Sequence, residues 1–266
     1  MGVDLHTHTT ASDGCLEPAE LVKAGITLGL DGLAITDHDT MAGIDRARAA
    51  LADPSFLLVP GLELSCQWQD RELHILGYWP KEDCPELQET LFTLQQARQK
   101  RIHQMVEKLL ALGFTITEER VQELAGNGSV GRPHIAMALM EKGYALSIQD
   151  AFQKYLNPKG IAYVPRLKVL PSEGVTLIRR AGGVAVFAHP VTAAADILIP
   201  ELKQLGLRGI EASHPRHDAA IEQHYRDLAE KYGLVATGGS DFHQEGLGRH
   251  TCSLAVIEQL AKYRQG

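Results

Sequence analysis

Histidines and carboxylates recur in this chain at spacings that suit metal ligation. Asp4-Leu5-His6-Thr7-His8 is followed closely by Asp13. Alternate residues of a strand share a face, so His6 and His8 point together and form a clamp for a cation. Thr36-Asp37-His38-Asp39 sets an Asp and a His just after the apolar run Leu33–Ile35. Asp39 reads there as a turn or cap residue, and His38 as a ligand. Gly61-Leu62-Glu63 places a carboxylate able to bridge two cations at an expected strand end, and His74 follows in Glu72-Leu73-His74-Ile75. Ala188-His189-Pro190 and Ser240-Asp241-Phe242-His243 complete the series, with Asp241 and His243 repeating the i, i+2 pairing. One such cluster carries little weight, because a lone His on an apolar strand is usually a satisfied core residue. Together they supply six histidines and three carboxylates. Buried unpaired carboxylates are costly, and cations are their usual compensation. The chemistry implied is the binding of more than one cation.

The elements that must position these residues are short. Apolar runs predict strands at Val3–Leu5, Leu33–Ile35, Phe56–Val59, Leu73–Leu76, Val184–Phe187, Gly209–Glu211 and Leu234–Ala236. Helical spacing predicts helices at Pro18–Leu28, Gly43–Leu51, Ser172–Ala181, Ile199–Leu205 and Asp218–Tyr232. Alternation of about seven strands with helices points to an α/β barrel or a doubly wound sheet. Nearly all the candidate ligands fall at strand ends of one polarity, and the C-terminal face of a barrel is where catalytic groups collect. From Glu86 to Arg166 the rhythm breaks. Ile102, Met105, Val106, Leu109 and Leu110 follow 3/4 spacing with Gly113 beyond the helix end, and helices follow around Glu118–Leu124, Arg132–Lys142 and Ser147–Tyr155. The expected organisation is a barrel from residues 1–85 and 171–266, with an all-α insertion over 86–170 forming a cap.

Composition narrows the function classes. The chain has 266 residues, 44% hydrophobic and 22% charged, which excludes a disordered or collagenous protein. No apolar run reaches the ~18 residues of a membrane span. No basic segment followed by an apolar one opens the chain, so no secretion signal is expected. Cys15, Cys66, Cys84 and Cys252 lie far apart without a CxxC pair, which argues for a reducing cytoplasm and against a disulfide scaffold or zinc knuckle. The net charge is −7, but residues 86–170 hold 11 Lys+Arg against 8 Asp+Glu. A basic insertion on an acidic body suits an anion-recognising cap over a metal site; solvated helix faces are the plainer explanation.

His6-x-His8, Thr36-Asp37-His38, Gly61-Leu62-Glu63, Ala188-His189-Pro190 and Ser240-Asp241-Phe242-His243 resemble, in order along the whole chain, the motifs of the PHP (polymerase and histidinol phosphatase) family. The resemblance implies a distorted (β/α)7 barrel with two or three divalent metals on its C-terminal face. It implies one metal on His6, His8, Glu63 and Asp241, a second bridged by Glu63 and held by His74 and His189, and a third on Asp13, His38 and His243. Nine ligands over three metals leave positions for water and substrate. Mixed His and carboxylate donors without thiolates suit manganese, zinc or iron better than magnesium or calcium, and manganese is the first choice. Metal binding lowers the pKa of water from about 15.7 towards ~7, which makes an attacking hydroxide available at neutral pH.

The helical insertion is similar to that of a stand-alone bacterial subfamily containing 3′,5′-nucleotide bisphosphate phosphatases and a 5′-to-3′ exoribonuclease. Gly131-Arg132-Pro133-His134 and Tyr155-Leu156-Asn157-Pro158-Lys159-Gly160 carry that likeness. The resulting expectation is a metal-dependent phosphoesterase that removes the 3′-phosphate of a nucleoside 3′,5′-bisphosphate. The alternatives are a 5′-to-3′ exonuclease on short RNA or DNA and, in another class, a non-catalytic structural or regulatory module, which should have lost ligands. Glu63, Asp241 and His214 are the catalytic candidates. Arg132 and His134 open an expected helix whose backbone N–H groups favour phosphate, and Arg101, Lys159, Arg166 and His214 are further substrate-binding candidates. His217, His224 and His250 are expected at the surface, and His103 in a structural role on the insertion helix. Neither a membrane nor an obligate protein partner is expected.

Overall fold

The computed structural model describes residues 2–126, 128–165, 167 and 169–264. Seven apolar runs form strands: β1 (Val3–Asp4), β2 (Gly32–Ile35), β3 (Leu57–Trp68), β4 (Arg71–Tyr78), β5 (Val184–Phe187), β6 (Leu207–Ser213) and β7 (Val235–Gly238). They pair in chain order in one sheet. Leu5 N donates to Gly238 O at 3.3 Å, and Val3 bridges Cys252, so the sheet returns on itself as a nearly closed barrel. Period-two alternation divides β2 between two layers. Ala34 joins Val3, Val59, Leu76, Tyr78, Val184 and Val186 in one core, which residues of six strands build from inside the barrel. Leu33 and Ile35 face Leu21, Val22, Ile44 and Phe56 in the layer beneath the helices.

The helices are α1 (Pro18–Thr27), α2 (Ile44–Ala49), α3 (Pro85–Ala111), α4 (Glu118–Ala125), α5 (Arg132–Glu141), α6 (Ile148–Ala151), α7 (Pro171–Arg180), α8 (Ile199–Leu205), α9 (Ala219–Tyr232) and α10 (Leu254–Ala261). The chain divides into two compact units, Met1–Glu89 with Lys168–Gly266, and Thr90–Leu167. The second unit is all helical, and α6 runs on into a π-helical turn at Phe152–Leu156. Its core is built on Ile102, Met105, Val106 and Leu109, which meet Ile135 and Leu139 of α5.

Two features depart from the sequence reading. Phe56–Val59 and Leu73–Leu76 mark only parts of a long hairpin, β3 paired antiparallel with β4 across a two-residue turn where Gln69 has φ 55°. β4 is also antiparallel to β5, whereas the other neighbours are parallel. No helix separates β3 from β4, and that is the distortion of the barrel. Glu63, expected at a strand end, therefore sits inside β3. The second departure is α10, an amphipathic helix that the sequence reading did not include.

Candidate active site

The ends of the strands converge. His6 and His8 follow β1, His38 follows β2, His189 follows β5, and Asp241 and His243 follow β7. β4 runs in reverse, so His74, early in that strand, lies at the same end and opposite Ser65 of β3. Glu63 stands at the centre, fully buried. Its Oε1 lies 2.8 Å from His74 Nδ1 and 2.9 Å from His189 Nε2. Its Oε2 lies 3.4 Å from His6 Nε2, 3.3 Å from His8 Nε2 and 3.0 Å from His38 Nδ1. Asp241 Oδ1 lies 3.4 Å from His6 Nε2 and 3.3 Å from His8 Nε2. Asp13 Oδ1 approaches His243 Nε2 at 3.3 Å.

Among the described residues, three groupings could each hold a cation: His6, His8, Glu63 and Asp241; His8, Asp13, His38 and His243; and His38, Glu63 and His74. The first is the set that the resemblance implied. The second adds His8 to the expected trio of Asp13, His38 and His243. In the third, His38 stands where His189 was expected, while His189 keeps short contacts to Glu63 and, at 3.3 Å, to His74. All nine expected ligands thus belong to one cluster.

The donor chemistry fits cations. His6 Nδ1 lies 3.0 Å from Glu211 Oε1, and His243 Nδ1 lies 2.9 Å from the carbonyl of Asp241. His189 Nδ1 lies 3.0 Å from Thr192 Oγ1, whose own proton goes to His189 O. Each of these partners can only accept, so Nδ1 carries the hydrogen and the lone pair sits on Nε2. All three Nε2 atoms then face carboxylate oxygens, acceptor against acceptor, an arrangement that needs a cation or an extra proton between them. His6 Nε2, His8 Nε2, His38 Nδ1, Asp13 Oδ1 and Glu63 Oε2 are buried without a hydrogen-bond partner. The four 3.3–3.4 Å separations of the first grouping match the ~3.4 Å edge of a tetrahedron with ~2.1 Å metal–ligand bonds.

The charge states agree. Burial opposes a charge on His6, yet Glu211, Glu63 and Asp241 hold its pKa well above the usual histidine range. Burial likewise opposes His243, but Asp13 and Asp241 push it up to about 10. Against the cost of burial, His243 and His38 hold Asp13 well below the carboxylate range. His38 goes the other way, lowered by burial to about 4. Without cations, His6 and His243 favour a proton where a cation would sit.

Surrounding residues fix these positions. Asp37 accepts from Thr9 N, Thr9 Oγ1 and Ser12 Oγ at 2.6–2.8 Å, so it braces the β1 loop and is not a ligand. Asp4 accepts from Ser240 N and Gly248 N at 2.9 Å, which joins the two ends of the barrel. His189 and Asp241 hold left-handed backbones, at φ 26° and 49°, and strain of this kind concentrates at functional sites.

His214 is buried. Its Nδ1 accepts Arg216 N–H at 3.0 Å, which leaves the proton on Nε2, 3.3 Å from Asp241 Oδ2. Both ring nitrogens are thereby occupied. His217, expected at the surface, is buried too, with Nδ1 on Ala212 O at 2.7 Å, because its turn folds back on β6. His224 is exposed as expected, while His250 is partly buried and pairs with Ser213 Oγ at 3.1 Å. His103 is half exposed and pairs with Glu118 at 2.5 Å.

Five substrate-binding candidates belong to the helical unit, four of them among the described residues. Arg101 is buried, with Nε on Val164 O at 2.8 Å and its guanidinium 5.5 Å from the Tyr163 ring centre. Arg132 lies 5.2 Å from the Phe152 ring centre. His134 is buried and its Nδ1 accepts Gly131 N–H at 2.9 Å. Lys159 is exposed in the loop after the π-helical turn. Arg166 lies outside the described residues. The sequence reading gave no role to Glu211, which touches both His6 and the backbone of His189. A carboxylate among the buried residues Gly209, Ile210 and Ala212 of β6 was the available signal.

A model of the PHP domain matches residues 4–157. The chain is 35% identical over 250 residues to the 5′-3′ exoribonuclease Rnm of Escherichia coli, covering 91% of this chain and 85% of that protein. It is 31% identical over 252 residues to a 3′,5′-nucleoside bisphosphate phosphatase of Chromobacterium violaceum, covering 92% and 88%. A solved protein of Bifidobacterium adolescentis, proposed to be a metal-dependent phosphoesterase, superposes with a TM-score of 0.93 at 30% identity over 100% of this chain and 97% of that one.

Proposed function

The chain belongs to the PHP domain family, and on that footing we propose that it is a metal-dependent phosphoesterase acting on a nucleotide that carries a 5′-phosphate and a phosphate ester at its 3′ oxygen. One observation carries the reading: five histidine nitrogens surround the two oxygens of buried Glu63. A purely structural role for that carboxylate would not require so many imidazole nitrogens turned towards it.

Glu63 would hold two cations together, with His6, His8 and Asp241 on one side and His74 and His189 on the other. Asp13, His38 and His243 would hold a third, manganese being the first choice and zinc or iron the alternatives. Such cations supply Lewis acidity towards phosphoryl oxygens and acidify water near neutral pH. The protein's part is orientation. His214 holds Asp241 Oδ2 and leaves Oδ1 to the His6 and His8 group, so its proposed role is to position Asp241, since neither ring nitrogen is left for phosphate. Recognition of the 5′-phosphate is assigned to the helical unit, to Arg132, His134, Arg101 and Lys159. A guanidinium group can pair two donors with a phosphate, and His134 stands in the first turn of α5. A reducing cytoplasm is the proposed location, from the wide spacing of the four cysteines without a CxxC pair.

The preferred substrate is a nucleoside 3′,5′-bisphosphate. The 35% identity to an exoribonuclease favours a second reading, short 5′-phosphorylated RNA. Both break the same bond, between phosphorus and the 3′ oxygen. The test offers adenosine 3′,5′-bisphosphate and a short 5′-phosphorylated RNA separately to Mn²⁺-loaded protein. Phosphate release with little RNA shortening supports the phosphatase. Stepwise mononucleotide release at an equal or higher rate supports the exonuclease. No product from either, with metals bound, overturns the proposed substrate class.

A further inference from the structure

We propose that Glu211 is a positioning residue of the metal centre, one that sets the tautomer of His6 and pins the backbone that carries His189. The inference rests on the metal-dependent reading above. Glu211 lies on β6 and is 1% exposed. Its Oε1 accepts from His6 Nδ1 at 3.0 Å, and its Oε2 accepts the backbone N–H of His189 at 2.8 Å. His6 comes from the end of β1, 205 residues away in sequence. His189 follows β5, the neighbour of β6, and has a left-handed backbone at φ 26°. One carboxylate therefore holds ligand segments from two strands.

The partner's charge matters. His189 and His243 rest their Nδ1 atoms on a hydroxyl and a backbone carbonyl. His6 rests its own on a carboxylate, and its Nε2, like that of His8, is fully buried and faces Glu63 and Asp241 together. A carboxylate behind a ligating imidazole fixes which nitrogen keeps its proton and makes the other more basic. Buried Glu211 is otherwise an expensive charge, and its two contacts on ligand segments give that charge a purpose.

Glu211→Gln separates this role from simple packing, because the amide has nearly the same shape. If its oxygen faces His189 N–H, its NH₂ faces His6 Nδ1, and the ring must move its proton to Nε2. If its oxygen faces His6, its NH₂ meets His189 N–H, donor against donor. Neither orientation serves both ligand segments. The measurement is Zn²⁺ affinity by chelator competition on wild type and E211Q, with thermal unfolding of both metal-free proteins as the check on folding. Affinity at the tightest site is expected to fall 10–100-fold. Should E211Q fail to fold, imidazole ¹⁵N spectra of Zn²⁺-loaded wild type decide: hydrogen on His6 Nδ1 with zinc on Nε2 supports the inference, and the reverse overturns it. Unchanged affinity in folded E211Q overturns the role of Glu211 and leaves the phosphoesterase reading intact. Wild type that binds no Zn²⁺ overturns both, whereas wild type that binds zinc and hydrolyses neither nucleotide overturns only the proposed function.

Discussion

Gly239 lies one residue before Ser240-Asp241, where the segment after β7 passes the end of β1. A methyl carbon there would stand 2.3 Å from His6 Cβ and 2.5 Å from His6 N. Non-bonded carbons rest about 3.5–4.0 Å apart, so Gly239→Ala must part the two segments by more than about 1 Å. His6 has nowhere to yield. It is fully buried, its Nδ1 is held at 3.0 Å by Glu211, and its carbonyl accepts Phe242 N–H at 3.3 Å. Gly239 itself donates to Ser213 O at 3.1 Å. Overpacking of this kind costs about 1–3 kcal/mol of stability. A misplacement of ~1 Å in the positioning of reacting groups costs on the order of 10²-fold in rate. The change should therefore lower the urea midpoint modestly, weaken Zn²⁺ binding, and reduce kcat/KM for phosphate release from adenosine 3′,5′-bisphosphate by about two orders of magnitude. Circular dichroism should show the fold retained. Wild-type metal affinity and turnover in a folded G239A protein would refute the claim that His6 is held in one place by this contact.

His243→Ala should remove the cation of the Asp13, His38 and His243 group; elemental analysis should show one metal fewer and most turnover lost, and near-normal activity would contradict the assignment. In the cation-free protein His243 is raised from the ordinary histidine value to about 10, burial being outweighed by Asp13 and Asp241. A histidine raised on folding contributes stability that is complete below about 6.5 and fades as pH rises through about 10. Metal-free protein should accordingly lose stability over that window. Metal uptake at pH 7 should release protons, measurable by calorimetry in buffers of different ionisation enthalpy; buffer-independent heats would speak against it. Leu33→Ala removes a fully buried side chain of the helix-facing core and should cost about 2–5 kcal/mol in urea unfolding; a cost below ~1 kcal/mol would mean the layer is not close-packed there.

The ligands were legible because their grammar is local. His6 and His8, or Asp241 and His243, lie two residues apart at the end of a strand, where period two alone makes them neighbours. The strands themselves were legible as short apolar runs, and the insertion helix as the 3/4 spacing of Ile102, Met105, Val106 and Leu109. What tertiary structure decided were relations with no local trace. β3 and β4 extend beyond their apolar runs because cross-strand pairing, from Gly61 with Tyr78 to Trp68 with Arg71, carries polar residues along with it. That pairing places Glu63 in mid-strand among five histidines that come from four other strands. His217 is buried because its turn folds against β6, although its own neighbours in sequence are polar. Glu211 gains its significance only when the barrel closes and brings β1 beside it, a contact of 205 residues' separation. Residue types and short spacings determined which atoms this protein offers to a cation; closure of the barrel decided which of them share one, because a ligand set is defined by distance in space and not along the chain.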